Sequence, residues 1–191
     1  MQLPVDYDGK YYVNEINAAK TDSINHIIEL RVQSVPFFNQ TEIKYVYTDQ
    51  INSSGDTLIE TTGVIDSCDK EIFLHPPRKA YMRFSEIPPF PQISLPPALR
   101  TKKETELSIV TGYGELNGKV IKQVLIVTAK EDININKKKY SDCWVLEGEN
   151  INYIDKLGNY KVRYWFNTKF GFVKMLYTKP DGSTVSLELV K

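Results

Sequence analysis

The chain has 191 residues, enough for one core that needs no metal or disulfide staple. Its 24 Lys and Arg balance 24 Asp and Glu, so no basic excess points to nucleic acid or to an anionic membrane surface. Aromatic residues make up 12% of the chain, twelve of them Tyr, and together with Ile, Val and Thr they favour pleated, half-buried surfaces.

The opening MQLPVDYDGKYY has neither a basic n-region nor an apolar h-region, so no secretory leader is read in it. An envelope or periplasmic address would follow if a leader once preceded these residues, and a cytoplasmic one otherwise. No run approaches the roughly 18 apolar residues that a membrane-spanning helix requires. Residues 14–24, NEINAAKTDSI, are the one stretch that could hold a short helix, although Asn, Thr, Asp and Ser compete with its backbone bonds.

From there period-two alternation dominates. HIIELRVQSV sets Ile28, Leu30 and Val32 on one face, and TEIKYVYTDQ does the same with Ile43, Tyr45 and Tyr47. The turn residues Asn52 to Asp56 make 41–66 a hairpin. Further strands are expected at 71–75, 79–85, 105–113, 119–130, 139–147 and 150–156. The last forty residues predict a three-stranded meander: KVRYWFN, FVKMLYT and TVSLELV, with Lys179-Pro180-Asp181-Gly182 as the second turn. About ten strands at this spacing imply an all-β fold, an antiparallel curved sheet forming a barrel, half-barrel or sandwich. Residues 1–191 read as a single β domain, divisible into halves 1–85 and 98–191 joined by the proline-rich segment 86–97.

Seven of the ten prolines lie between 76 and 97. Proline donates no backbone hydrogen bond, so 86–97 cannot be a central strand and should be a polyproline-like crossover between the two halves. Ile87, Phe90, Ile93 and Leu95 within it cost about 25 cal/mol per Å² to leave in water and should lie down on the sheet. Three uses follow: a structural strap, a lid over an apolar cavity, or a PxxP ligand through Pro88 and Pro91.

Motifs for chemistry are absent. His26 and His75 stand without a GxSxG elbow, and no HExxH or Cys/His cluster offers a metal site, so neither metal nor cofactor is expected. GYGELNGK, 112–119, has the wrong glycine spacing for a phosphate loop and reads as a hairpin turn. Asp142, Glu147 and Glu149 around Cys143-Trp144 could be an acid pair, yet acids this frequent usually form a solvated strand face. Cys68 and Cys143 lack CxxC spacing and read as two buried thiols, with one long-range bridge as the alternative. Trp165 shares the polar face of KVRYWFN with Lys161 and Arg163, so it either lies under a cover such as the proline strap or presents a ligand surface. The candidate ligand-binding set is Phe84, Ile87, Phe90, Ile93, Trp144, Tyr164, Trp165 and Met175, the same kinds of residue that build any β core.

The ending Tyr164-Trp165-Phe166, Lys169 to Met175, Asp181-Gly182 and Leu187-Glu188-Leu189 resembles the C-terminal signature of uncharacterised β-rich bacterial envelope proteins, among them lipoproteins. The resemblance covers residues 160–190 and implies a curved antiparallel sheet and an extracytoplasmic home. It carries no catalytic residues. Three functions are therefore expected in order: a non-enzymatic envelope protein holding an apolar or amphipathic, lipid-like ligand with 86–97 at its mouth; a scaffold that binds a protein partner; and a hydrolase using His75 or the acids near Trp144.

Overall fold

A computed structural model describes residues 9–19, 23–35, 40–65, 71–109, 117–152 and 157–190. Among these residues, twelve strands and one 3-10 helix run in chain order: β1 Gly9–Ile16, β2 Ser23–Val35, β3 Gln40–Ile51, β4 Thr57–Ile65, β5 Glu71–Phe73, the helix Ala80–Glu86, β6 Gln92–Ser94, β7 Lys102–Ser108, β8 Val120–Ile135, β9 Lys138–Asn150, β10 Lys161–Asn167, β11 Gly171–Thr178 and β12 Thr184–Val190. Ten of them form one antiparallel sheet in the order β4-β3-β2-β1-β12-β11-β10-β9-β8-β7, and β5 pairs with β6 in a separate ribbon. The fold is the expected all-β curved sheet. Its edges, β4 and β7, do not pair with each other, so it is not a closed barrel.

Alternation puts the core on one face. Tyr11 and Val13, Ile28 and Leu30, Ile43, Tyr45 and Tyr47, Tyr164 and Phe166, and Met175 and Tyr177 are all buried there. Lys10, Tyr12, Glu29, Lys44, Lys161, Arg163, Lys174 and Glu188 occupy the alternate positions and face outward. Curvature shows in bonds that skip strands. Tyr140 of β9 donates to the Leu189 carbonyl of β12 at 3.1 Å, and Tyr11 of β1 reaches the Phe172 carbonyl of β11 at 2.8 Å.

The chain between β4 and β7 spans the opening between the two edges. β5 touches β4, Glu71 of β5 is ion-paired with Lys103 of β7, and Ile72, Leu74, Met82 and Ile93 enter the sheet's core. Ile87 joins Ile109, Ile121 and Leu157 in a smaller cluster near the β7–β8 hairpin. Pro76, Pro77, Pro88, Pro89 and Pro91 are buried. The segment is seated against the interior, and among its described residues the only ladder is the three-residue pairing of β5 with β6.

Several boundaries differ from the sequence reading. Where a strand is expected at 79–85 the chain forms the 3-10 helix Ala80–Glu86, because no neighbouring strand offers a ladder there. Met82 and Ser85, three residues apart, are buried as a three-residue turn requires. The described part of the 14–24 stretch holds no helix: β1 runs to Ile16, β2 starts at Ser23 and the two pair with each other, while 20–22 lie outside the described residues. β5 stops at Phe73, two residues short of 75. β8 and β9 are longer than expected, joined at Asn136 and Lys137, whose φ of 46° and 68° give the turn its I′ twist. In the 150–156 stretch only Asn150 is in a strand, Ile151 and Asn152 are not, and the rest lies outside the described residues, as do 110–113, residue 66 and Cys68.

Candidate functional site

The prolines of the strap leave carbonyls that no ladder pairs, and the sheet answers with side-chain donors. Tyr45 Oη donates to the His75 carbonyl at 2.6 Å, Tyr164 Oη to the Pro89 carbonyl at 2.5 Å, and Gln123 Nε2 to the Ile87 carbonyl at 2.7 Å. Ser85 Oγ closes the helix onto the Pro77 carbonyl at 2.6 Å. Tyrosine suits this work, since its ring fills apolar volume while its hydroxyl reaches a polar partner.

A polar node anchors the start of the strap. Glu60 on β4 is 1% exposed, and its carboxylate accepts from Tyr47 Oη at 2.7 Å, from the Arg78 and Lys79 backbone N–H groups at 2.9 and 3.2 Å, and from Arg78 Nε at 3.2 Å. The Arg78 guanidinium also bonds Glu86 at 3.2 Å and lies 3.3 Å from His75 Nε2. Burial, and then the Glu60 charge, push the Tyr47 phenol far above its ordinary range, so it stays a neutral donor. Nearby, His26 stacks on Tyr81 at 3.9 Å between ring centroids and is paired with Asp49. Both histidines of the chain thus lie beside the strap's first half, a convergence no motif announces.

The candidate ligand residues divide between core and rim. Ile93, Tyr164 and Met175 are buried in the main core, and Ile87 in the smaller cluster. Phe84 is half-buried, stacked on Tyr160, edge-on to Tyr177 and capped by Lys179 Nζ at 4.8 Å. Phe90 is half-buried against Phe73 and His75, and Trp144 lies half-buried under Lys130. Trp165 is not covered by the strap. Its indole donates to Glu131 at 2.7 Å, with Arg163 and Lys174 over the ring at 5.0 and 5.5 Å. The longer β8 brings Glu131 there, which local alternation could not show. Of the acids near Trp144, Asp142 pairs with Lys130, Glu147 with Arg163, and Glu149 accepts from Asn159, so they engage three different partners. Among the described residues no three His, Cys, Asp or Glu gather as a metal site. Cys143 is a free, buried thiol held up to about 11 by burial.

A groove of about 420 Å³ lies elsewhere, over the open face of β8 to β11. Val124, Ile126, Thr128, Leu176 and Thr178 contribute to its lining with Glu147, Glu149, Lys161 and Arg163. The register explains the grouping: Val124, Glu149, Lys161 and Thr178 are cross-strand neighbours, and so are Ile126, Glu147, Arg163 and Leu176. Glycine keeps the strands close here, because a Cβ on Gly148 would sit 2.4 Å from the Val124 carbonyl. Arg163 Nε is buried without a hydrogen bond, its nearest carboxylate being Glu147 at 3.4 Å. Outward-facing Val124, Ile126 and Leu176 were the sequence's trace of this groove, visible only once four strands are set side by side.

No family model matches the chain, and no curated protein matches its sequence. Two crystal structures are similar along its length. One, from Bacteroides fragilis, is of a protein classed as exported with a YmcC-like fold, at 11% identity and TM-score 0.45 over 96% of this chain and 95% of that one. The other, from Parabacteroides distasonis, is of a protein classed as a lipoprotein, at 13% identity and TM-score 0.41 over 98% of this chain and 95% of that one.

Proposed function

We propose that the protein is a non-enzymatic cell-envelope protein that binds an amphipathic, lipid-like molecule on its curved sheet. The supporting observation is the open-face groove. At about 420 Å³ it falls within the range of small-molecule sites, which are roughly 300–1,000 Å³. Its apolar floor from Val124, Ile126 and Leu176 would take a hydrocarbon portion, and Lys161, Arg163, Glu147 and Glu149 would meet a polar or charged end. The envelope address follows from the resemblance carried by residues 160–190.

Native mass spectrometry of freshly purified protein tests this reading. A co-purifying lipid-like mass should be present in the wild type and lost in Leu176→Asp, which weakens apolar binding by about tenfold or more. Retention of that mass in Leu176→Asp, or no such mass in the wild type, overturns it. A second reading places the ligand under the strap, with Phe84, Ile87, Phe90, Ile93, Tyr164 and Met175 around it. Phe90, half-buried beside His75, is the observation in its favour. Loss of the mass in Phe90→Ser but not in Leu176→Asp would select that site. The buried Pro88 and Pro91 speak against a PxxP ligand, whose prolines must be open to a partner.

A further inference from the structure

We infer that His75 is an acid-sensitive latch for the strap: protonating its ring loosens residues 71–94 from the sheet while the ten strands stay paired. The first premise is tautomeric. A guanidinium only donates, so at 3.3 Å from Arg78 Nη1 the His75 Nε2 must be the accepting nitrogen, and Nδ1 carries the proton. Nδ1 is buried and makes no hydrogen bond of ordinary geometry. A second proton can therefore go only to Nε2. There it sets donor against donor and cation against cation.

The surroundings give the imidazolium little relief. Phe73 meets the ring edge-on at 6.0 Å and Phe90 lies tilted against it at 5.0 Å. The charged and titratable groups nearby are Arg78 on its own segment, Glu86 on the 3-10 helix, Glu60 on β4, and the Tyr45 and Tyr47 phenols on β3. Glu60 and Glu86 are already bonded to Arg78, and Tyr45 is spent on the His75 carbonyl. Burial and then Arg78 hold the imidazole below its ordinary 6.5, against weaker upward pulls from the Pro76 carbonyl, Glu86 and Glu60.

His75 also sits at a tie point. Its carbonyl takes the Tyr45 bond, and the preceding Leu74 N–H bonds the Pro91 carbonyl at 2.8 Å, joining the two arms of the strap. Moving the ring out to water breaks both arms' registration. Each pH unit by which the closed-state pKa lies below the open-state value multiplies the opening constant about tenfold once pH falls beneath both.

Hydrogen exchange followed by mass spectrometry, corrected for intrinsic rates, tests the latch at about pH 5 and about pH 7.5, where only histidines change charge without help. In the wild type, peptides from 71–94 should exchange severalfold faster at the lower pH, with β10 to β12 unchanged. His75→Gln should abolish the difference and His26→Gln should keep it, which separates the chain's two histidines. An equal acid response in His75→Gln, no response in the wild type, or loosening spread over β10 to β12 overturns the inference. Should His75→Gln not fold, the His75 ring titrated by NMR in the wild type decides: a midpoint at or above about 6.5 overturns it and a lower one supports it. No readout involves the groove, so the outcome is independent of the ligand proposal.

Discussion

At the scale of the residue, the chain spends its tyrosines on a specific problem. A strap rich in proline offers carbonyls and few N–H groups, so it can be held only by donors brought to it. Tyr164→Phe removes the donor of the Pro89 carbonyl while keeping the ring. It should lower unfolding free energy by about 1–3 kcal/mol, read from denaturant melts. Glu60→Ala removes the acceptor of four hydrogen bonds, three of them from the strap's start, and leaves Arg78 with Glu86. The expected loss is about 2 kcal/mol or more, moderated because Arg78 is partly in solvent. Cys143 is the reverse case, a buried thiol that stays neutral at pH 7. Alkylation of the peptide containing Cys143 should proceed only at the rate of unfolding, and fast labelling of the folded protein would contradict its burial.

At the scale of the element, twist and close approach decide where strands bend. The β8–β9 hairpin turns at Asn136-Lys137 with both φ values positive, and Lys137 lacks the freedom of the glycine usual in that position. Lys137→Gly should therefore raise the melting temperature, corresponding to about 1 kcal/mol at most after glycine's entropic cost. Gly148 is the opposite kind of position. A methyl group there meets the Val124 carbonyl and the Leu125 side chain, so Gly148→Ala should cost about 1–3 kcal/mol and distort the groove above it. The 3-10 helix shows why alternation misleads: RKAYMRFSE has strand-like spacing, yet a strand needs a neighbour, and this segment lies across the sheet instead of beside it.

At the scale of the molecule, an open ten-stranded sheet is completed by chain that belongs to no ladder within it. The sheet's interior is sealed by the strap, whose first half depends on a neutral His75. The imidazole's native pKa lies below the unfolded 6.5, so the unfolded chain binds more protons wherever the ring titrates. The stability His75 contributes is then complete above about 6.5 and is lost as pH falls from there towards the native value. Chemical denaturation from pH 7.5 downward should show this fall, and His75→Gln should flatten it. A profile unchanged by the substitution would place the acid sensitivity elsewhere.

The C-terminal meander, the 41–66 hairpin and the burial of Ile28, Leu30, Ile43, Tyr45 and Tyr47 were legible in the residues, because side-chain direction in a strand is a local matter of alternation. So was the seating of 86–97, since apolar residues with few N–H groups must find both a surface and donors. The rest was decided by partners distant in the chain. Which edge the strap reaches, that Glu131 covers Trp165, that Val124 and Leu176 share a groove, and that Tyr45 and Glu60 take hold of His75 and Arg78 all follow from strand order and curvature. Those depend on how separate segments compete to bury one face, and no single segment records the result.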